Sequence, residues 1–398
     1  MKAQEVRNPV DRRMASVLAK DPQVQAMQEA MQGQGGNTRR SLLAQALRLT
    51  PQVAPDLHKI IDRCVERLDV ETELEVYVYA APQFNAGCTS PENGRVFVLL
   101  TASLLEAFDT PELTFVLGHE LGHHIYEHHE IPLQALAQQK GVAPRTILQG
   151  HAWLRQAELS ADRAGLLCCS EGQDTGLDGA VRSFFKLSSG MRQAPGPEQV
   201  AAYMEQSAEL YREDSEKERK GFQMDWLSTH PFSPVRIRAL KAFSESQAMG
   251  GELSMESTEA KVQGAMGLME PGYLEEDSPG AEAMRRLLFA AGAVVAGADG
   301  EVSALEIAAL ASLLGEGRVP RTLNPERLAE VMPERIKRVI DLVSEPKRVQ
   351  LIRDLTLIAK ADGGVDNRER FVIRELAGKL GVQPSFCDMA IEDSSTLD

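Results

Sequence analysis

Two histidines and a glutamate fall within the run His-Glu-Leu-Gly-His at residues 119–123. On a helix, residues four apart lie on one face, so His119 and His123 can bind one metal ion with Glu120 beside them. Catalytic zinc sites use three protein ligands and keep a fourth position open for water. Glu158, thirty-five residues after His123, can supply the third ligand from a second helix. The sequence therefore predicts a zinc-dependent hydrolase that cleaves peptide bonds.

A start signal and an apolar stripe predict a helix around these histidines. Thr110 suits the N-cap, Pro111 suits the first helical position, and Glu112 suits the positive end of the helix dipole. The following apolar residues share a stripe that can anchor the helix in a core: Leu113, Val116, Leu117, Leu121 and Ile125. A different face of the same helix then carries the metal ligands.

Glu158 and Asp162 are also four residues apart, on a predicted helix over residues 151–169. This spacing lets Glu158 bind zinc while Asp162 accepts a hydrogen bond from the free N–H of a ligand histidine. Glu120 can take a proton from a zinc-bound water and pass it to the leaving amine. His151, two turns before Glu158, is the alternative third ligand.

The other histidines and the cysteines carry less information. His124 and His128 are four residues apart but about 100° around the helix from the ligand pair, so they cannot join the same ion. We expect them to contact the ligands or to face solvent, and a second metal site is the alternative. The five cysteines show no disulfide-like spacing, and the adjacent Cys168 and Cys169 are expected to be buried, which fits a reducing compartment.

Composition limits the class of protein. A chain of 398 residues that is 43% hydrophobic can bury a sizeable core and divide into two domains. The net charge of −15 argues against a nucleic-acid partner, because phosphate binding needs clustered cations. The longest apolar candidate, residues 287–298, is too short to span a bilayer, and the polar first residues predict neither signal peptide nor anchor. A cytoplasmic location is expected.

Glycine-rich and polar stretches divide the chain. We predict an N-terminal helical and flexible extension over residues 1–40, including a connector at 32–37. A catalytic domain is expected over residues 41–245. A linker with a short helix follows over 246–280, and a helical domain covers 281–398.

Several stretches around the histidine motif match one pattern. They are a leading helix at residues 56–70, a strand at 74–79, an Asn-Ala pair at 85–86, an alternating strand at 95–101, Ser-Thr-His-Pro at 228–231 and Arg-Ile at 236–237. Together with the motif they resemble the gluzincin peptidases of the HtpX and CAAX-prenyl-protease type, over about residues 50–245. The resemblance implies the same three zinc ligands, Glu120 as general base and Asp162 as their orienting partner.

The resemblance also implies roles for residues that spacing does not reveal. His230 would stabilise the oxyanion or hold substrate, and Arg236 would brace that region. Asn85 and Ala86 would border the cleft, where an extended peptide lies along the strand. Family members commonly carry transmembrane helices, and this sequence departs from them by predicting none. The resemblance assigns no role to Cys88. One hypothesis is that its thiolate binds zinc and keeps the enzyme latent.

The C-terminal region contains a repeat. Residues Ala298-Asp299-Gly300, with Val302 and Glu306, recur 63 residues later as Ala361-Asp362-Gly363, with Val365 and Glu369. One interpretation makes the acidic residues of both copies ligands for a divalent cation. The other, which we favour, sees Asp-Gly turns followed by helix capping boxes, Ser303 with Glu306 and Asp366 with Glu369. The Asp-x-Asp-x-Asp-Gly series of a calcium loop is missing.

This duplicated pattern resembles the TerB-type domain, an all-helical module of bacterial stress-associated proteins, over residues 281–390. The resemblance implies a docking or sensing role, with a possible protein partner bound through residues 281–398.

The sequence thus predicts an α+β fold: a mainly helical gluzincin metallopeptidase domain with a small sheet, plus an all-α C-terminal helical bundle. The expected function is a soluble zinc-dependent endopeptidase with one Zn²⁺ per chain, acting on a protein or peptide and regulated or targeted by the TerB-like domain. The alternative is a non-catalytic, metal-containing binding protein that acts through the TerB-like domain. An intact Glu120 favours the enzyme, because a structural site needs no base.

Overall fold

The computed structural model describes residues 3–31, 37–139, 141–172, 174–212, 233–266, 273, 278–298, 302–315, 319–320, 322–343, 345–362 and 364–392. Contacts group these residues into two compact units. Apart from the gaps, the first unit contains residues 3–132, 153–212 and 233–266, and the second contains 133–152 and 273–392. Residues 3–31, predicted as an extension, thus belong to the first unit, and residues 133–152, predicted within the catalytic domain, belong to the second.

Helices dominate both units. In chain order they are α1 (Ala3–Val6), α2 (Pro9–Leu18), α3 (Pro22–Met31), α4 (Thr38–Gln45), α5 (Pro55–Leu68), α6 (Ala102–Ala107), α7 (Thr110–Ile125), α8 (Leu133–Gln138), α9 (Pro144–Cys169), α10 (Leu177–Ser189), α11 (Pro197–Arg212), α12 (Ser233–Ser244), α13 (Met255–Met266), α14 (Pro279–Ala296), α15 (Ala304–Leu314), α16 (Pro325–Glu330), α17 (Met332–Leu342), α18 (Glu345–Ala359), α19 (Asn367–Lys379) and α20 (Pro384–Glu392). Within the described ranges, none of these helices is both long and apolar enough to cross a membrane.

A small sheet lies in the first unit. Its strands are β1 (Leu47–Arg48), β2 (Glu73–Tyr79), β3 (Ala86–Cys88) and β4 (Arg95–Thr101), in the order β1-β2-β4-β3. β2 and β4 are parallel, with Glu73 opposite Arg95 and Tyr79 opposite Thr101. β1 pairs antiparallel with β2, and β3 pairs antiparallel with β4. β3 therefore lies at the edge of the sheet, where it contacts α7. Helices around a small sheet confirm the α+β prediction.

The helix that carries the two histidines, α7, begins with a capping box. The Asp109 side chain accepts a hydrogen bond from the backbone N–H of Glu112, and the Glu112 side chain accepts one from the backbone N–H of Asp109. Thr110, predicted as the N-cap, is instead the first helical residue. The prediction missed by one position because threonine and aspartate both suit an N-cap, and only the reciprocal hydrogen bonds distinguish them.

Small residues let α7 and α9 approach closely. A Cβ added to Gly118 would lie 2.9 Å from the Cα of Gly165, and one added to Gly122 would lie 2.8 Å from the Cβ of Ala164. A Cβ on Gly165 would lie 2.7 Å from the backbone oxygen of Phe115. Real Cβ atoms do not come so close to other heavy atoms, so these glycines set the distance between the two helices. That distance brings Glu158 next to the histidines.

Part of the segment predicted as a linker is ordered structure of the first unit. A short 3-10 helix covers Gln247–Met249, and α13 packs against α12. Glu259 of α13 accepts hydrogen bonds from both terminal nitrogens of the buried Arg163, at 2.8 and 2.9 Å. The helix is longer than the short one expected at residues 260–268 and starts earlier.

The second unit has a core of its own, formed largely by α14, α15, α17, α18 and α19. Both predicted capping boxes are present: Ser303 with Glu306 at the start of α15, and Asp366 with Glu369 at the start of α19. The two glutamates therefore bond backbone N–H groups, as the structural interpretation of the repeat requires. Asp299 and the side chain of Asp362 lie outside the described residues.

Candidate metal centre

Three side chains converge between α7 and α9. The Nε2 atoms of His119 and His123 are 3.1 Å apart. Glu158 places its Oε2 atom 3.5 Å from Nε2 of His119 and its Oε1 atom 3.3 Å from Nε2 of His123. Ligand atoms about 2.05 Å from a tetrahedral zinc ion lie roughly 3.3–3.4 Å from one another, so these separations fit a common ion. Across the described ranges, these residues form the group of three that could hold a metal ion.

Nδ1 of His119, the ring nitrogen that faces away from Glu158, contacts a carboxylate that is itself paired with an arginine. Nδ1 of His119 lies 3.0 Å from Oδ1 of Asp162, which is fully buried. Arg236, in α12, donates to both oxygens of Asp162 at 2.6 and 2.9 Å, and its Nη2 atom lies 3.1 Å from Oε2 of Glu158. Burial alone would raise the pKa of Asp162, but the charge of Arg236 and the hydrogen bonds lower it below its ordinary value. Asp162 is therefore an ionised acceptor for the ring N–H of His119.

A different pair of residues lies behind the second histidine. Nδ1 of His123 is 2.8 Å from Nδ1 of His128, and Nε2 of His128 is 3.2 Å from Oδ2 of Asp11. His128 and Asp11 are both buried, and burial lowers the pKa of His128 to about 4, so its ring is neutral near pH 7. Sequence reasoning placed His128 behind the ligands or at the surface and missed Asp11. No local pattern marks Asp11, because an acidic residue in the first turn of a helix is common.

The donor set is suited to a cation. With Nδ1 of each histidine directed at an acceptor, both Nε2 lone pairs face each other and a carboxylate oxygen. Two nitrogen lone pairs 3.1 Å apart, each 3.3–3.5 Å from a carboxylate oxygen of Glu158, repel one another unless a positive charge lies between them. Two imidazoles and one carboxylate, with a fourth direction left for water, are a ligand set of catalytic zinc. The residues present therefore fit a divalent metal ion.

Glu120 follows the first ligand on α7 and is partly exposed. Its charge acts on Cys88 of β3, on His123 and on Arg236, which places it at the same centre. Burial, with a contribution from the charge of Glu120, raises the pKa of the Cys88 thiol. Both effects favour the neutral form of the Cys88 thiol.

The remaining predicted residues lie in several places. The backbone N–H of Asn85 donates to Oγ1 of Thr101 at 3.0 Å, and Ala86 opens the edge strand β3. His151, the alternative third ligand, instead lines a cavity of the second unit. His124 pairs with Thr72 through Nε2 at 3.0 Å. His230 lies outside the described residues.

Comparison with known proteins gives two family matches. Residues 51–144 and 141–244 match the model of peptidase family M48, and residues 285–390 match tellurite resistance protein TerB. All three candidate ligands and Glu120 lie within the M48 region, whereas Asp11 lies outside it.

Individual proteins support the first match. The plastoglobule-localized metallopeptidase 48 of Arabidopsis thaliana is 26% identical over 282 residues, which cover 66% of this chain and 78% of that protein. Protease HtpX homologs of Moorella thermoacetica and Helicobacter pylori are 33% and 30% identical over 78 and 77 residues, about a quarter of each protein. No solved structure matches the chain significantly.

These matches confirm the resemblance drawn from the sequence. They support metallopeptidase activity, and they imply a metal cofactor and a peptide substrate. Over residues 51–244 the chain thus matches peptidase family M48, which it shares with HtpX-type proteases, and over residues 285–390 it matches tellurite resistance protein TerB.

Proposed function

We propose that this protein is a zinc-dependent endopeptidase in which His119, His123 and Glu158 bind one zinc ion and Glu120 is the general base. One observation carries the proposal: two imidazole nitrogens of α7 lie 3.1 Å apart, and each lies 3.3–3.5 Å from a carboxylate oxygen of Glu158 on α9, which is close to the ligand spacing of a tetrahedral zinc site. Zinc is favoured over magnesium or calcium because two of the three ligands are imidazoles.

Each residue around the site is proposed to have a separate chemical role. A zinc ion held there would act as a Lewis acid that makes water a stronger nucleophile and polarises the scissile carbonyl. Glu120 accepts a proton from the attacking water and later gives it to the leaving amine. Asp162 holds His119 in the tautomer that presents Nε2 to the ion, and Arg236 fixes Asp162 and Glu158. His230 is proposed to stabilise the oxyanion, as the family resemblance implies.

The substrate is proposed to bind as an extended strand along β3. β3 is the edge of the sheet and contacts α7, so a peptide added there would pass the metal centre. Asn85 and Ala86 stand at the start of this strand. Main-chain pairing would give affinity with little sequence preference, as suits a protease of protein or peptide substrates.

The TerB domain is proposed to regulate or target the peptidase through a protein partner that binds residues 281–398. Its capping boxes use the glutamates of the repeat, which favours a docking surface over a cation site. A cytoplasmic location stays a prediction.

The first experiment compares wild type with Glu120→Gln, using fluorescein-labelled casein as substrate and measuring zinc content on the same samples. We expect Glu120→Gln to keep its zinc and to lose about 10²–10⁴-fold in rate, because it removes a general base and no ligand. Glu127→Gln, an exposed glutamate of the same region, is the control and should be unchanged. Equal casein cleavage by wild type and Glu120→Gln would contradict the mechanism, and no cleavage by either would favour a non-catalytic binding protein.

A further inference from the structure

We propose that the N-terminal segment, residues 3–18, is part of the metal centre: Asp11, acting through His128, positions the imidazole of His123. The proposal rests on the function proposed above, because it assumes that Nε2 of His123 binds the metal ion. The segment lies outside the region that matches the peptidase family. Asp11 and His128 are positioning residues, since they act through His123.

The direction of the hydrogen bonds follows from the surroundings of Asp11. An ionised carboxylate can only accept hydrogen bonds. It accepts from Nε of Arg7 at 2.8 Å, from Nε1 of Trp153 at 2.9 Å and from Oγ of Ser160 at 2.6 Å. Nε2 of His128, at 3.2 Å, is the fourth partner. The hydrogen between His128 and Asp11 therefore belongs to the Nε2 atom of His128.

The same reasoning fixes the tautomer of the ligand. Only one hydrogen fits between two Nδ1 atoms 2.8 Å apart, and metal binding through Nε2 of His123 leaves that hydrogen on Nδ1 of His123, so Nδ1 of His128 presents a lone pair. That atom lies 2.8 Å from Nδ1 of His123, which must then be the donor. Nε2 of His123 is left with a lone pair directed at Nε2 of His119 and at Glu158. This is the tautomer and ring orientation that a metal ion requires.

The two candidate ligand histidines are thus held in different ways. His119 bonds directly to Asp162, a residue of the M48 region. His123 bonds to a histidine just beyond the end of its own helix, and that histidine bonds to a carboxylate from the N-terminal segment. Trp153 and Ser160, which also bond Asp11, lie on the helix that carries Glu158. Asp11 therefore ties α9 to the end of α7.

The N-terminal segment is docked well enough to hold Asp11 in place. The hydroxyl of Tyr126 donates to the backbone oxygen of Ala3 at 2.8 Å, and Nη1 of Arg163 donates to the backbone oxygen of Val6 at 3.3 Å. The backbone N–H of Asn8 donates to Oγ of Ser160 at 3.0 Å. Val6, Asn8 and Asp11 are fully buried. We therefore expect the segment to support activity.

The test measures zinc affinity by competition with a chromophoric chelator, on the full-length protein, with circular dichroism as the check on folding. Asp11→Asn and His128→Leu each break the hydrogen-bond relay that runs from Asp11 through His128 to His123. His128→Gln is the conservative variant, because its amide can accept from His123 and donate to Asp11. Tyr126→Phe is the matched control, because it removes one hydrogen bond that docks the segment and leaves the relay intact.

We expect Asp11→Asn and His128→Leu to raise the zinc dissociation constant about tenfold to a hundredfold, the usual cost of losing a partner of a ligand histidine. His128→Gln should recover most of the affinity, and Tyr126→Phe should bind as wild type does. Wild-type affinity in folded Asp11→Asn or folded His128→Leu would overturn the relay while leaving the proposed peptidase intact. Equal loss in Tyr126→Phe would also overturn it, because docking alone would then explain the effect. Wild type that binds no zinc would overturn both proposals.

Discussion

Arg236 contacts both buried carboxylates of the candidate metal centre. Its guanidinium bonds Asp162 through two nitrogens, contacts Glu158 at 3.1 Å and stacks over the ring of Phe184 at 4.7 Å. Bidentate pairing and ring stacking both depend on the planar fork of arginine, which lysine lacks. The residue is therefore placed to orient the proposed ligands, where the family resemblance assigned it only a bracing role.

Arg236→Lys keeps the positive charge but removes the planar guanidinium, so it tests whether the guanidinium geometry is needed. We expect zinc affinity to fall about tenfold, because His119 and Glu158 lose their common support. The free energy of unfolding should fall by about 1.5–3 kcal/mol, the usual worth of hydrogen bonds to charged groups. Chelator competition and urea unfolding measure the two effects.

Arg192→Lys is the matched control for this substitution. Arg192 forms an exposed pair with Glu106 at 3.0 Å, and exposed pairs contribute at most about 1 kcal/mol. If Arg236→Lys behaved like this control, the fork of Arg236 would have no part in holding the ligands.

At the scale of elements, the distance between α7 and α9 decides whether the ligands can meet. Gly118, Gly122 and Gly165 leave no room for a Cβ between the two helices. Helical periodicity places the proposed ligands on one face of each helix. The 3.3–3.5 Å separations between the histidines and Glu158 additionally require that the two helices approach closely. The glycines therefore act on the candidate metal centre by setting the distance between the helices and not as ligands.

Gly165→Ala should destabilise the protein and weaken zinc binding together. The new methyl group would meet the backbone oxygen of Phe115 at 2.7 Å, and overpacking of this kind costs about 1–3 kcal/mol. The better helix propensity of alanine offsets up to about 1 kcal/mol of that cost. Urea unfolding and chelator competition on the same samples measure both effects.

Gly264→Ala is the control for this experiment. Gly264 lies within α13, and a Cβ there meets nothing within 4 Å. We expect this variant to gain about 0.5–1 kcal/mol from helix propensity and to bind zinc normally. A stabilising effect of Gly165→Ala like that of Gly264→Ala would show that the helices can separate without cost.

At the scale of the whole molecule, the two units have separate hydrophobic cores, and the candidate metal ligands all belong to the first. A ligand stabilises the structure that it binds by RT ln(1 + [L]/Kd), which is about 2.7 kcal/mol at one hundred times Kd. Zinc should therefore stabilise the first unit selectively.

Hydrogen exchange with and without zinc tests this expectation. At zinc concentrations about one hundred times Kd, the slowest amides of α7 and α12 should exchange up to about a hundredfold more slowly than in the zinc-free protein, because they report opening of the unit that binds zinc. Amides of α14 and α18 are the internal control and should change little. Equal protection in both sets would mean that the units open together.

The sequence determined the local geometry of the site. Four-residue spacing on a helix places His119 with His123, and Glu158 with Asp162, whatever surrounds them. The capping boxes of α15 and α19 were predictable for the same reason, since each involves residues only three apart. The N-cap of α7 was missed by one residue because several side chains suit that position.

Only the tertiary structure decided which distant groups complete the centre. Asp11 meets His128 across 117 residues and Ser160 across 149, and no periodicity relates positions so far apart. The sequence also did not reveal the role of the glycines in α7 and α9. A glycine in a helix matters here because it lets a neighbouring helix approach, and only the structure shows which helix that is. Local backbone geometry thus fixed the spacing of the proposed ligands, whereas packing of the N-terminal segment and of α9 decided which residues contact them.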